Sequence, residues 1–164
     1  MPPQPSKSLC VVDANIIIDL HIGALLDHLF SLPYTPATPR SIISKQQRPP
    51  GYSVVKMGLI PLDLSETQIC ETSSFRKQYP RLAIDDIHAF ILAHDLSVPL
   101  LTGDSGLRRL AQSTGLSVYG TLWVLDTLVQ QNTISRQQAA TSLNLMTQNS
   151  RRLPASEVMV RLNR

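Results

Sequence analysis

Two short, mainly apolar runs each lead directly to an aspartate. LCVV, at residues 9–12, precedes Asp13, and VPLLT, at residues 98–102, precedes Gly103 and Asp104. Short apolar runs between polar residues are typical of parallel strands that are buried on both faces. Open parallel sheets bind ligands beyond the carboxyl ends of their strands. The sequence therefore predicts a buried parallel sheet with carboxylates at one edge.

Helical patterns alternate with the predicted strands along most of the chain. We predict further strands near Tyr34, at 59–64 and at 118–119, and helices over 15–30, 65–78, 84–96, 105–114, 121–131 and 135–149. Strands that alternate with helices favour a mostly parallel sheet covered by helices on both faces. The predicted class is therefore α/β.

The length of 164 residues suits one domain with its own core. We predict a flexible N-terminal tail over residues 1–8, a folded domain over 9–150 and a basic C-terminal extension over 151–164. No apolar run approaches the roughly 20 residues that span a bilayer. The start, MPPQPSKS, lacks the layout of a signal peptide, and the two cysteines form no CxxC motif. These features predict a cytoplasmic protein.

A third aspartate, Asp86, lies in the first turn of the helix predicted over 84–96. We expect the carboxylates of Asp13, Asp86 and Asp104 to converge at one edge of the sheet. Clustered carboxylates repel one another and raise each other's pKa unless a cation is present. Hard divalent ions with oxygen ligands suit such a cluster, and they activate water for attack on a phosphodiester.

Each aspartate also has an ordinary structural interpretation. Asp13 and Asp104 would cap the helices that follow them, and Asp86 would be a first-turn acid favoured by the helix dipole. Asn15 would either cap the first helix or hold Asp13 through a hydrogen bond. The remaining acids near these positions are interpreted as structural: Asp85 as another first-turn acid, and Asp19 and Asp126 as solvated helix residues.

Three segments together resemble the PIN domain family, and in particular its VapC-like toxin group. They are VVDANIIIDL, LAIDDIHAFILAHDLSVPLLTGDSGLRRLAQ and VYGTLWVLDTLV. The resemblance implies a three-layer α/β/α sandwich with a central parallel sheet and a nuclease that cuts RNA. It implies that Asp13, Asp86 and Asp104 are catalytic residues that bind Mg²⁺ or Mn²⁺. It further implies a homodimer and a small cognate antitoxin protein as partner.

The chain departs from the family pattern at its second acid. The resemblance places a glutamate after the second strand, in the segment RSIISKQQ, where Lys45 stands at or next to the expected position. No acid occurs between Asp27 and Asp63. The departure bears on catalysis rather than on the fold, and Lys45 is therefore a candidate supporting residue.

Three functions are compatible with these features. The first is a metal-dependent endoribonuclease of toxin type, with its acidic site weakened at Lys45. The second is a catalytically impaired PIN-fold module that binds RNA or protein. The third is a haloacid-dehalogenase-like phosphatase, although that class has an aspartate where Asn15 stands. For RNA, we predict contacts from arginines around the acidic site: Arg108, Arg109, Arg136, Arg151, Arg152, Arg161 and Arg164. The arginines from Ser135 onward would alternatively bind an acidic antitoxin segment. The ordinary interpretation of all these arginines is a solvated basic face.

Overall fold

A computed structural model describes residues 6–163, which contain one five-stranded sheet with the order β3-β2-β1-β4-β5. All four pairings between neighbouring strands are parallel. The strands are β1 (Leu9–Val12), β2 (Thr35–Pro39), β3 (Ile60–Leu62), β4 (Leu100–Leu101) and β5 (Val118–Tyr119). The carboxyl ends of all these strands therefore meet at a single edge.

Helices connect the strands and cover the sheet. They are α1 (Ala14–Ile22), α2 (Arg40–Lys45), α3 (Gly51–Met57), α4 (Glu66–Gln78), α5 (Ile84–Leu96), α6 (Ser105–Ser113), α7 (Thr121–Gln130), α8 (Arg136–Gln148) and α9 (Ala155–Leu162). A 3₁₀ helix covers Leu26–Ser31. Right-handed crossovers through helices are the usual way to join parallel strands, and they bury both faces of the sheet.

The alternation of side chains along β1 divides the interior into two layers. Cys10 and Val12 face one core together with Ile16 of α1 and Leu125 of α7. Val11 faces the other core, which contains apolar side chains of α5 and α6 such as Ile87, Phe90 and Leu107. Successive residues of a strand point to opposite faces, so a four-residue strand contributes to both layers. The predicted three-layer α/β/α sandwich with a parallel sheet is confirmed.

The single helix predicted over 15–30 is wrong. The α-helix ends at Ile22, Ala24 has a φ of 57°, and a separate 3₁₀ helix starts at Leu26. The Gly23 carbonyl accepts a hydrogen bond of 2.6 Å from Ser142 of α8. The contact with a helix more than a hundred residues later stabilises the break, so the local apolar pattern did not reveal it.

The segment after residue 150 packs against the domain. Val158 of α9 is buried, and Arg161 pairs with Asp126 of α7. Of the predicted tail, residues 1–5 lie outside the described residues, and Lys7 donates a hydrogen bond of 2.8 Å to the Leu32 carbonyl. The proposed boundaries at residues 8 and 150 remain predictions. Across 6–163, no helix has the length and apolarity needed to cross a membrane.

Candidate active site

Asp13 directly follows β1 and is almost completely buried, with 2% of its surface exposed. One carboxylate oxygen accepts a hydrogen bond of 2.7 Å from the Ala14 amide at the start of α1. The other oxygen accepts a hydrogen bond of 3.0 Å from the Thr102 hydroxyl. Asp13 is therefore the N-cap of α1, but capping alone does not require a carboxylate to be buried between two strand ends.

Asp104 stands two residues beyond Thr102 and caps α6. Its Oδ1 accepts a hydrogen bond of 2.7 Å from the Leu107 amide, and its own amide donates to the Thr102 hydroxyl at 3.1 Å. Thr102 therefore bridges Asp13 and Asp104 through one hydroxyl, which donates to the first and accepts from the second. This bridge fixes the end of β4 against the end of β1.

Asp86 approaches the same edge from the first turn of α5. Its Oδ2 accepts a hydrogen bond of 3.0 Å from the Ala83 amide, just before the helix begins. The ordinary interpretation as a first-turn acid therefore holds, because the carboxylate satisfies a free amide at the helix start. The carboxylate is nevertheless half-buried, its charge raises the pKa of Asp13, and the charge of Asp104 raises its own pKa.

The pKa of Asp13 depends on its burial and on the charges of the other two acids. The pKa of Asp13 is raised from 3.8 to about 6, mainly by burial and next by the negative charge of Asp86. Hydrogen bonds from Thr102 and Ala14 lower this pKa, and the charge of Asp104 makes a smaller contribution that raises it. Each of the other two carboxylates therefore acts electrostatically on Asp13.

The pKa of Asp86 is affected by burial and by neighbouring negative charges as well. Burial raises the pKa of Asp86, the hydrogen bond from Ala83 lowers it, and the charges of Asp104 and Asp85 raise it. Mutual repulsion of this kind is expected where carboxylates gather without a counter-ion. The structure thus places Asp13, Asp86 and Asp104 near enough to interact electrostatically, whereas their catalytic and metal-binding roles remain predictions.

The carboxylate oxygens at this sheet edge fit a divalent ion that keeps most of its water ligands better than an ion bound by protein atoms alone. Among residues 6–163, no three His, Cys, Asp or Glu side chains stand close enough to hold one ion together. Yet Asp86 Oδ1 and Asp104 Oδ2 accept no hydrogen bond from the described part of the chain, so each carboxylate keeps one free oxygen. Mg²⁺ keeps several waters and often binds only one or two carboxylates. These two free oxygens suit that mode of binding.

Asn15 connects Asp13 to the segment that follows α8. Its side-chain amide donates to Asp13 Oδ2 at 3.3 Å, and its carbonyl oxygen accepts from Arg151 at 3.4 Å. Of the two roles expected for Asn15, the structure shows the contact with Asp13, while the cap of α1 is Asp13 itself. Arg151 fixes the orientation of the amide because it occupies the carbonyl side.

Asp19 is not a solvated helix residue. It is buried, its Oδ1 accepts a hydrogen bond of 2.5 Å from Arg151, and its Oδ2 accepts one of 2.6 Å from Thr121. A buried carboxylate needs a positive partner and hydrogen bonds to offset its desolvation. Sequence reasoning missed this pair because its members lie 132 residues apart.

Lys45 is the last residue of α2, and its ammonium binds Asp85. The Nζ atom lies 3.0 and 3.2 Å from the two carboxylate oxygens of Asp85, and 65% of the lysine side chain is exposed. Asp85 immediately precedes Asp86, so Lys45 lies beside the acidic cluster, with its charge engaged on the neighbouring carboxylate. A direct role for Lys45 in the site remains a prediction.

The comparison with protein families identifies the chain. A family model described as DUF3368: PIN domain matches residues 9–164. Because the match covers nearly the whole sequence, the chain belongs to this PIN-domain family, and the predicted family is confirmed. A search of curated proteins finds no similar sequence. PIN domains are generally nucleases, and they usually use divalent metals.

Proposed function

We propose that this PIN-domain chain is a Mg²⁺- or Mn²⁺-dependent endoribonuclease. The observation that carries the proposal is the buried carboxylate of Asp13, whose pKa is raised to about 6 beside Asp86 and Asp104. A protein that keeps three mutually repelling acids at one sheet edge accepts an electrostatic penalty in the metal-free state. A divalent cation removes that penalty, and RNA phosphodiesters are the substrate class that fits this family and chemistry.

Each residue has a distinct role in this proposal. Asp86 and Asp104 would hold the hydrated ion through their free oxygens, and Asp13 would provide buried negative charge oriented by Thr102 and Asn15. When bound, the ion would lower the pKa of a coordinated water and stabilise negative charge on the phosphate. Thr102 and Asn15 each donate a hydrogen bond to Asp13 and thereby hold its carboxylate in place, and the bond from Thr102 also lowers its pKa.

The finer assignments rest on the resemblance to the VapC-like group. We propose a toxin-type enzyme that acts in the cytoplasm, forms a homodimer and is held inactive by a small antitoxin protein. The mildly basic net charge of +3 is compatible with an RNA substrate. Size-exclusion chromatography of the chain alone tests the homodimer. Electrophoresis of the purified chain after co-expression with an antitoxin candidate tests whether the two proteins associate.

A catalytically impaired binding module is the second candidate, and Lys45 is the observation that favours it. The position expected to supply a second acid carries an ammonium that binds Asp85 instead. One fewer carboxylate weakens the attraction for a divalent cation. We therefore expect catalysis that is reduced but present, with one ion held at most. The phosphatase hypothesis loses its basis, because the chain belongs to the PIN family and Asn15 binds Asp13 through an amide.

RNA cleavage by the purified full chain tests the proposal. A single-stranded RNA is incubated with Mg²⁺, with Mn²⁺ or with chelator, and the wild type is compared with Asp13→Asn. We expect metal-dependent cleavage that falls by about 100-fold or more in Asp13→Asn. Glu71→Gln is the matched control, because Glu71 is an exposed acid on α4. RNA binding without metal-dependent cleavage would favour the impaired module, and turnover of a phosphate monoester would reinstate the phosphatase.

A further inference from the structure

The arginines expected to contact RNA differ in whether a carboxylate of the chain already binds the guanidinium. Arg151 pairs with Asp19, and Arg161 pairs with Asp126. Arg109 and Arg136 line grooves whose walls contain none of Asp13, Asp86 and Asp104, and Arg164 lies outside the described residues.

Arg108 and Arg152 remain. Over residues 6–163 neither guanidinium lies within ion-pair distance of a carboxylate. Neither positive charge is therefore held in an ion pair within this range, so both remain available to an anion.

Both of these arginines line a cleft that leads away from the acidic cluster. A cavity of about 470 Å³ contains Asp104 and Asn15, and a neighbouring cavity of about 570 Å³ contains Arg108 and Trp123. Gly103, Ser105 and Arg152 line both cavities, so the two spaces adjoin along these residues. Each volume lies within the range of about 300–1,000 Å³ that is usual for small-ligand sites. We call the two cavities together the arginine cleft.

Arg108 is held in a fixed place at the base of the arginine cleft. Its guanidinium donates a hydrogen bond of 3.1 Å to the backbone carbonyl of Thr102, the residue whose hydroxyl also binds Asp13. The positive charge of Arg108 is therefore fixed relative to the acidic cluster through one shared residue. Arg152, which is exposed, faces both cavities from the segment after α8.

An aromatic pair forms a further wall of the larger cavity. Trp123 and Tyr119 both line it, and their rings stack with centroids 4.1 Å apart and an interplanar angle of 15°. Both side chains are half-buried, so aromatic surface remains accessible from the cleft. Basic side chains next to aromatic ones are typical of sites for single-stranded nucleic acid, where phosphates meet the charges and bases meet the rings.

We propose that the arginine cleft is a subsite for a single-stranded RNA nucleotide next to the cleaved bond. Arg108 and Arg152 bind the phosphate, and the nucleobase lies against Trp123, while the strand continues to Asp104. The proposal rests on the proposed function, which it deepens by giving the RNA a path. An acidic protein segment would also satisfy the arginines, but it would leave the aromatic wall unused and bring more carboxylates towards Asp104.

RNA binding in the absence of metal tests the subsite separately from cleavage. A fluorescein-labelled oligouridylate is titrated with the full chain in chelator, and anisotropy gives the affinity at several salt concentrations. Removing an arginine that alone neutralises one phosphate of a single strand lowers the slope of log affinity against log salt by about 0.7. Because Arg108 and Arg152 share one phosphate, we expect a smaller but measurable decrease in Arg152→Gln and in Arg108→Gln, with affinity about fivefold weaker. Arg152→Lys should restore the slope, because the positive charge remains.

Arg76→Gln is the control, because Arg76 is an exposed arginine on α4, away from both cavities. Slopes for Arg152→Gln and Arg108→Gln equal to that of Arg76→Gln would overturn the subsite, as would a wild type that binds polyglutamate but not oligouridylate. Absence of RNA binding by the wild type would overturn it as well. Metal-dependent cleavage abolished by Asp13→Asn would still stand in these cases, so failure of the subsite is distinguishable from failure of the nuclease proposal.

Discussion

Replacing Asp13 with asparagine should stabilise the metal-free protein at neutral pH. The wild-type carboxylate is buried and its pKa is raised from 3.8 to about 6 by burial and by the charge of Asp86. Between these two values the folded protein binds more protons than the unfolded chain, so the free energy of unfolding falls as the pH rises. The penalty is absent at low pH and complete above the folded pKa of about 6.

The size of the effect follows from the pKa difference. A difference of about two pKa units corresponds to about 3 kcal/mol of folding free energy above pH 6. Asparagine removes the charge but weakens part of the hydrogen bonding with Ala14, Thr102 and Asn15, which costs about 1 kcal/mol. We therefore expect Asp13→Asn to be more stable than the wild type by about 1–2 kcal/mol at pH 7.5, and no more stable than the wild type at pH 4.

Urea denaturation in metal-free buffer at several pH values measures this difference. The gain should appear between pH 4 and pH 7, and excess Mn²⁺ should reduce it by stabilising the wild type. Glu71→Gln, which alters an exposed acid on α4, is the control and should not reproduce the gain. A gain for Asp13→Asn that is absent at pH 7.5, or equal at pH 4 and pH 7.5, would refute the idea that Asp13 carries an electrostatic penalty.

Two further substitutions probe the surroundings of the site. Lys45→Glu should tighten Mn²⁺ binding, measured by calorimetry, and increase RNA cleavage, and Lys45→Gln should give a smaller gain. If Lys45→Glu changes neither quantity, Lys45 lies outside the metal site. If Lys45→Glu abolishes cleavage, the lysine is itself a functional residue. Arg151→Ala should lower the free energy of unfolding by about 3 kcal/mol, because it leaves the buried carboxylate of Asp19 without its charged partner. In a double-mutant cycle, Asp19→Asn should lessen the effect of Arg151→Ala, and strictly additive losses would contradict the pairing.

Local sequence signals were sufficient to predict much of the sheet edge and its acids. The helix predicted over 84–96 has the observed bounds of α5, and the helix predicted over 65–78 is α4, which begins with a capping box formed by Ser65 and Gln68. The apolar runs before Asp13 and Asp104 are strands that pair side by side in the sheet. These features depend on neighbouring residues, because apolar periodicity and caps act within a few positions.

Contacts between distant segments could not be predicted in the same way. The apolar pattern of residues 15–30 does not show the break at Gly23, which α8 stabilises through Ser142. Likewise, nothing near Asp19 indicates that Arg151 neutralises it. The availability of each arginine for RNA depends on such long-range pairs, so a count of basic residues in the sequence overestimates the basic surface near the site.

The central claim is that Asp13, Asp86 and Asp104 act as one metal-dependent site. Cleavage of single-stranded RNA in Mn²⁺ by the three single Asp→Asn variants and by the Asp13→Asn/Asp104→Asn double variant tests it most directly. Residues that act as a unit give strongly non-additive losses of rate. We predict that each single variant loses about 100-fold or more and that the double variant is scarcely worse than the poorer single variant. The claim would be contradicted if any single variant cleaved RNA at the wild-type rate. It would also be contradicted if the fold-loss of rate in the double variant equalled the product of the two single losses.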